Sequence, residues 1–438
     1  MAAVSGSAQQ HGSVFWGADG LAALRSMNPA DSLTVNLYDG FALPDCPIWA
    51  DSSTQAECDA IEAAVGGPAA VAAVTGSRCY ARFTGPQIKK IARTQPLVWQ
   101  HTARVSLASS FLTSLLLGRL PINLVCPTRD MVPPTDNQGS HNPRTPHQPN
   151  PRQNKIGRPA PIDASDGTGM NLLNLFTHEW SEELLQATAP GLRARLGAAV
   201  SKPWESLGPI SPYFAARYGL PPACPVIPAT GDNPSALVGM GLAPADSDNN
   251  NNDENNTGGV LMVSLGTSDT LVGVTRRPRP GAEGHVMLSP RAPGEAFAML
   301  CYKNGAVARE AVRDQVAGGS WEGFSGLLRQ STPGNDGKLA LHLSLEEIIP
   351  VLPVKGTAFR AEATAPGQLL STGAFEPAQE ARAVVEARFL SMKAHAAAIG
   401  LPTRPRRILA TGGGSTNAEM MQVRAAFGIL DERFGGSR

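Results

Sequence analysis

The stretch 225–242, PVIPATGDNPSALVGMGL, limits the fold of this 438-residue chain more than any other segment. Val226, Ile227 and Ala229 make an apolar run that breaks at Thr230-Gly231-Asp232-Asn233, and Pro234 then opens an amphipathic segment carrying Leu237, Val238 and Met240. The order predicts strand, turn and helix. Asn233 suits the N-cap and Pro234 the first helical position, which leaves Gly231 and Asp232 in the turn beside a positive helix terminus. A carboxylate so placed can do acid–base chemistry. It reads equally as a residue that merely caps the helix.

Two other turns have the same character. Residues 259–274, GVLMVSLGTSDTLVGV, are two apolar, β-branched runs hinged on Leu265-Gly266-Thr267-Ser268-Asp269, the pattern of a hairpin. Its turn offers a glycine for close backbone approach and two hydroxyls, a set that can hold phosphate; many hairpins with such turns bind nothing. Residues 408–417, ILATGGGSTN, run from an apolar segment into three glycines ahead of a helical pattern at Met420, Met421, Val423 and Ala426. Here too the residues read either as a ligand-holding turn or as a tight turn and nothing more; the Walker pattern and the G-x-G-x-x-G spacing are both missing.

The chain is long enough for two domains, each with its own core. Lys plus Arg (37) balances Asp plus Glu (37), so net charge gives no case for nucleic acid or an anionic membrane surface. No apolar run is long enough to span a bilayer and the first residues form neither a signal nor a transit pattern, so a cytoplasmic protein without membrane contact is expected. The six cysteines are scattered without C-x-x-C spacing and read as reduced thiols, and the eight histidines are dispersed. No protein-built metal site is expected, although a nucleotide-bound Mg²⁺ needs few protein ligands.

Along the chain, residues 1–16 read as a strand ending in a polar loop, in which His11 by itself is a satisfied loop histidine. The cluster Asp51-Ser52-Ser53-Thr54 reads as helix-start chemistry for a helix through Cys58, Ile61 and Val65 that stops at Gly66-Gly67. A helical pattern at 71–75 leads to a Gly-flanked loop, 76–85, with Arg78, Tyr80, Arg82 and Phe83; its arginines can hold a polar ligand or stay solvated. Helices are expected over 87–93 and 105–117, the second strongly apolar. Residues 121–160, rich in Pro, Asn, Gln and Arg, read as a disordered insert. Asp163 and Asp166 read as turn and cap residues. Helices are expected over 180–196, interrupted at Pro190, and over 212–218; the tract DSDNNNNDENN within 243–257 is a low-complexity loop. Further on, 286–305 alternates weakly into a strand and turn, and helices follow over 306–316, 321–328 and 378–398. Trp321 shares helical spacing with Phe324, Leu327 and Leu328, which makes it a core residue on pattern alone.

Taken together, SGSAQQHGSVFW (5–16), CPIWADSST (46–54), AAVGG (63–67), TGSRCYARFTGPQIKKI (75–91), PIDASDGTGMNLL (161–173), TGDNPSALVGM (230–240), VSLGTSDTL (263–271) and ILATGGGSTNAEMMQV (408–423) resemble the FGGY carbohydrate-kinase family of the actin-like ATPase superfamily, in order and in spacing. The likeness is to its D-xylulose-phosphorylating members. It implies an α/β fold of two ribonuclease-H-like domains with substrates in the cleft between them: a sugar-binding domain over 1–245, a linker over 246–257 and an ATP-binding domain over 258–438. By that resemblance Asp232 is the general base toward the sugar hydroxyl, and His11, Arg82, Asp232 and Asn233 bind D-xylulose. Gly266, Thr267 and Ser268 hold phosphate, Gly412, Gly413 and Asn417 form the adenosine turn, and Trp321 flanks the nucleotide. ATP and Mg²⁺ are the implied cofactors, and a homodimer is an open assembly. The family's opening strand and Gly-Asp-x-Ser/Thr hairpin have no match, the likeness stops after Phe427, and the 121–160 insert interrupts it, so both domains are expected to be truncated. The alternatives to D-xylulose phosphorylation are an inactive sugar-binding fragment and an FGGY kinase for another sugar or polyol.

Overall fold

The computed structural model describes residues 2–118, 159–197, 200–245, 258–365 and 368–424. The 246–257 tract and nearly all of the 121–160 insert lie outside the described residues.

The largest sheet lies in the second half. Its five strands run, in spatial order, Arg407–Thr411, Val260–Leu265, Asp269–Thr275, Ala296–Tyr302 and His285–Leu288. The first pair is parallel and the other pairs are antiparallel. Period-2 alternation gives the sheet two buried faces. Leu261, Val263, Leu265, Ala298 and Leu300 pack with Val384, Val385 and Phe389 of the long helix Pro377–Ala398 and with Phe324 of Trp321–Gln330. Val260, Val272, Val274, Phe297 and Met299 face the other way, onto Leu237 of the Asp232–Gly239 helix and Leu242. The hairpin expected over 259–274 is therefore the central element of this sheet.

The first half is mainly helical. Helices Gln55–Ala64, Pro68–Thr75 and Thr84–Thr94 surround a core of Phe15, Ile61, Val71, Ile88, Leu107, Met170 and Leu173. Strands here are short: Ser13–Trp16 pairs antiparallel with Arg104–Leu107, and Ser7–Ala8 pairs parallel with Thr230–Gly231. The run 225–231 does not form one strand. Pro228 lacks the N–H that a ladder needs, so it splits into Pro225–Val226 and Thr230–Gly231.

Three expectations need correction. The helix expected over 105–117 begins at Ala108, because Val105 to Leu107 belong to the strand beside Ser13–Trp16. The helix after Asp232 starts two residues earlier than expected, with Gly231 as N-cap and Asp232 as its first residue, so Asn233 is helical. An antiparallel sheet of Lys338–Leu343, Thr357–Ala365 and Gln368–Ser371, packed beside the long helix, has no counterpart in the sequence reading. Among the described residues no single helix is long and apolar enough to cross a membrane.

The strand His285–Leu288 is the seam between the halves. Val286 N donates to Gly76 O at 2.9 Å, Leu288 N donates to Thr168 Oγ1 at 3.1 Å, and Gln10 Nε2 donates to Met287 Sδ at 3.3 Å. Gly76 has φ +92°, and a Cβ there would lie 1.9 Å from Val286 O. Gly76→Ala is therefore expected to lower stability by about 1–3 kcal/mol through backbone strain alone, with the clash at the seam in addition. The midpoint of urea unfolding checks this; an unchanged midpoint contradicts it.

Candidate active site

The turn before the Asp232–Gly239 helix is built by glycine and two buried acids. Parallel pairing of Thr230–Gly231 with Ser7–Ala8 brings the 230s turn against the loop at Gln10 and His11. Asp232 is exposed, and its Oδ1 accepts from Gln10 N at 3.1 Å and from Asn233 N at 3.0 Å. Two backbone donors thus fix one carboxylate oxygen. Asn233 Nδ2 donates to Gln10 Oε1 at 2.9 Å, closing the ring of contacts.

Beneath this turn lie Asp163 and Asp166, both buried. Asp163 is the N-cap of a short helix, accepting from Asp166 N at 3.0 Å, and it also accepts from Thr230 Oγ1 at 2.7 Å. Capping was expected, but not full burial beside a third carboxylate. Asp166 Oδ2 accepts from Ser109 Oγ at 2.6 Å, while its Oδ1 has no hydrogen-bond partner. A Cβ on Gly231 would sit 2.9 Å from that oxygen, so glycine is what lets Asp166 lie under the turn. Burial pushes Asp163 up to about 6. Burial, with the nearby Asp163 and Asp232, pushes Asp166 up to about 7.

His11 lies beside this turn in a left-handed conformation, φ 67°. Its Nδ1 is 3.2 Å from Gly169 O, so Nδ1 carries the proton and donates, which leaves the Nε2 lone pair as an acceptor. Burial and Arg82 hold its pKa down at about 3, so the ring is neutral. Its ring stacks on Phe83 with centroids 4.4 Å apart. Arg82 continues the cluster, its guanidinium 5.2 Å from the Tyr80 ring centroid and 5.6 Å from that of Phe83, with Nη2 3.1 Å from His285 Nε2. The structure thus brings His11, Arg82, Asp232 and Asn233 into one connected set. Sequence reasoning missed Gln10, Asp166, His285 and Met287 as members. Gln10 was visible inside the QQHG stretch and Asp166 inside PIDASDGTGMNLL, where it read as a cap residue, whereas nothing local marked His285 and Met287.

The glycine turns form a second set. The Gly266–Ser268 turn gives two carbonyls to one donor, since Ala306 N is 3.0 Å from Gly266 O and 3.2 Å from Thr267 O. Behind it, fully buried Asp269 receives both Arg309 amino groups, Nη1 at 2.6 Å and Nη2 at 2.8 Å. Such a buried pair is costly to break, by about 3–5 kcal/mol: Arg309 without Asp269 is an uncompensated charge, and Asp269 without Arg309 keeps only Arg388 Nε, at 3.7 Å. Gly412, at φ +80°, abuts the same place: a Cβ there would be 2.7 Å from the Leu265 carbonyl. Asn417 accepts from Met420 N at 2.9 Å and donates to Ser325 Oγ at 2.8 Å, so it caps the last helix and ties the glycine turn to the Trp321–Gln330 helix. Trp321 lies four residues before Ser325 on that helix. It is 38% exposed with Arg313 over its ring, which corrects the core reading; Phe324 and Leu328 fill the core instead.

Register relates the two sets. Ser264 pairs with Thr411, Leu265 with Asp269, Asp269 with Tyr302, and Met299 with His285. Both glycine turns and His285 therefore lie toward one end of the five-stranded sheet. At strand spacings of about 4.8 Å and about 3.4 Å per residue, the hairpin turn and His285 are on the order of 14 Å apart.

The model for the FGGY family of carbohydrate kinases, C-terminal domain, matches residues 261–428. The chain is 39% identical over 432 residues to Xylulose kinase 2 of Arabidopsis thaliana, covering 97% of this chain and 68% of that protein. It is 39% identical over 424 residues to Xylulose kinase of Mus musculus, covering 97% of this chain and 66% of that one. The chain thus spans about two thirds of the length of these relatives. In fold it resembles the crystal structure of xylulose kinase from Bifidobacterium adolescentis, with TM-score 0.67 and 20% identity over 96% of this chain and 74% of that one. It also resembles Plasmodium falciparum glycerol kinase with ADP, with TM-score 0.59 and 11% identity over 97% of this chain and 70% of that one.

The buried acids carry a pH signature. An unfolded aspartate ionises near its ordinary value of about 4, whereas Asp166 in the folded chain holds its proton up to about 7. Across that window the folded state binds the extra proton, so the contribution of Asp166 to stability is full at low pH and is lost as pH rises to about 7. Asp166→Asn removes this dependence. Melting temperature of the variant relative to wild type is expected to rise between about pH 5 and about pH 8; a difference independent of pH contradicts the assignment.

Proposed function

The chain belongs to the FGGY family of carbohydrate kinases, and on that premise we propose that it transfers the γ-phosphoryl group of ATP to D-xylulose, giving D-xylulose 5-phosphate. The observation that carries the proposal is that one sheet serves both polar sets: its edge strand reaches the His11–Arg82–Asp232–Asn233 set through His285, and the same end of the sheet bears the Gly266–Ser268 and Gly412–Gly413 turns. A neutral sugar is recognised by a few convergent donors and acceptors rather than by net charge. In this reading residues 1–245 supply the sugar contacts and residues 258–438 the nucleotide contacts.

Each residue has a task its geometry suits. Asp232 Oδ1 is occupied by two backbone N–H groups, so Oδ2 is the oxygen that takes the proton from the attacking C5 hydroxyl. His11 offers Nε2 as an acceptor for a sugar hydroxyl, because Gly169 O fixes its proton on Nδ1. Arg82 supplies donors. Asn233 is held by Gln10, which leaves its amide oxygen for a sugar donor. Gly266 and Thr267 turn carbonyls toward the start of the Ala306–Ala317 helix, and the turn offers its N–H groups and the Thr267 and Ser268 hydroxyls to phosphate. Gly412, Gly413 and Asn417 shape the adenosine turn, with exposed Trp321 at its flank. Transfer then depends on positioning and on electrostatic stabilisation, with little covalent chemistry for the protein to do. Mg²⁺ enters as the companion of the ATP phosphates. Among the described residues no three His, Cys, Asp or Glu side chains converge to hold a metal, so no protein ligand is assigned to it and no step runs through it.

The test is ADP formation by the full chain with D-xylulose and Mg·ATP, beside Asp232→Asn. Turnover is expected in the wild type and a loss of about 10²–10⁴-fold in the variant, with D-xylulose binding retained. A folded chain that binds D-xylulose without forming ADP contradicts the activity. Undiminished turnover in Asp232→Asn contradicts the base.

A further inference from the structure

His285 belongs to the strand that carries the seam, on the opposite side of it from every residue of the sugar set. Its four-residue strand touches the first half at each position in turn: His285 at Arg82, Val286 at Gly76, Met287 at Gln10 and Leu288 at Thr168. Three of those contacts are made by the strand's backbone amides or the Met287 sulfur with neutral groups. Only the first meets a charged group of the sugar set.

Arg82 has only donors, so the contact with Arg82 Nη2 at 3.1 Å requires His285 Nε2 to accept and the ring proton to sit on Nδ1. The ring is buried, 4.4 Å from the Tyr80 ring and 5.5 Å from the Phe83 ring by centroid, with His11 and Arg82 as the ionisable groups bearing on it beside the Tyr80 phenol. Burial, Arg82 and His11 all press its pKa well below the usual 6.5, so it stays a neutral acceptor. Its Nδ1 is buried without a partner, a cost that a purely structural ring would not retain. Among the described residues no carboxylate lies within ion-pair distance of Arg82. A neutral imidazole therefore orients this guanidinium without neutralising it, and the remaining N–H donors keep their full charge assistance for a ligand.

We propose that His285 is a positioning residue for sugar binding: its Nε2 fixes the Arg82 guanidinium across the seam, so that the half carrying the phosphate turns sets the geometry of the sugar site. This rests on the reading of Arg82 as a D-xylulose contact. It adds that a sugar donor depends on a residue supplied by the nucleotide half, so the site is complete only while the seam is closed.

The test is calorimetric titration of the full chain with D-xylulose, with ADP binding as a control for the fold of the second half. His285→Phe keeps the ring packing on Tyr80 and Phe83 but removes the acceptor; it should weaken D-xylulose binding about tenfold and leave ADP binding unchanged. His285→Gln places an amide oxygen near the Nε2 position and should recover most of that loss, whereas the shorter Asn should not. In an Arg82→Ala background, His285→Phe should add nothing. If His285→Phe fails to fold, the Gln and Asn variants still decide the matter, since equal binding by those two overturns the acceptor role. D-xylulose binding unchanged by Arg82→Ala overturns the sugar contact itself. Binding weakened by Arg82→Ala but untouched by His285→Phe overturns the positioning role alone.

Discussion

The contact on which the rest of the molecule depends is the docking of the His285–Leu288 strand against the first half. This strand is the edge of the five-stranded sheet, and a bare edge leaves alternate N–H and C=O groups unpaired. Here the outward amides of Val286 and Leu288 are taken by Gly76 O and Thr168 Oγ1, and the side chains between and beside them reach Gln10 and Arg82. Satisfying the edge and assembling the proposed sugar set are therefore one event. Gly76 is where this needs the absence of a side chain, to admit the Val286 carbonyl; at Gly169 a Cβ would be a tight fit, 3.3 and 3.4 Å from the His11 and Gln10 side chains.

Burial around the seam selects protonation states suited to a neutral ligand. His11 and His285 are held neutral, each with its tautomer fixed by one hydrogen bond: His11 keeps Nε2 as a free acceptor, and His285 spends its Nε2 acceptor on Arg82. Asp163 and Asp166 are raised toward neutrality beneath a turn whose exposed carboxylate is Asp232. Repulsion among three carboxylates is relieved in this way, and one of them is presented at the surface. Behind the Gly266–Ser268 turn the opposite solution holds: Asp269 and Arg309 remain a bidentate pair in the interior and brace the hairpin turn.

Much of this was legible in the sequence because the site residues sit in turns whose chemistry is local. The hairpin at 265–269, the glycine turn at 412–414 and the Asp232 turn all occur where glycine, hydroxyl and cap residues interrupt apolar runs. What the sequence hid was long-range. Asp166 looks like an ordinary cap residue until Gly231, sixty-five positions later, covers it. His285 has no motif of its own, and its role comes from a partner 203 residues away. Trp321 misled because helical spacing cannot tell which end of an apolar stripe emerges from the core. Val105 to Leu107 read as helix because short buried strands and helices share apolar runs, and only pairing with Ser13 to Trp16 separates them.

The central claim is that D-xylulose binds one site made by both halves at this seam. Amide hydrogen exchange of the full chain, with and without D-xylulose, tests it most directly. The account predicts that peptides covering 9–12, 76–84 and 285–288 gain protection together when D-xylulose is added. Protection confined to the first two segments, with 285–288 exchanging as in the free chain, would contradict it.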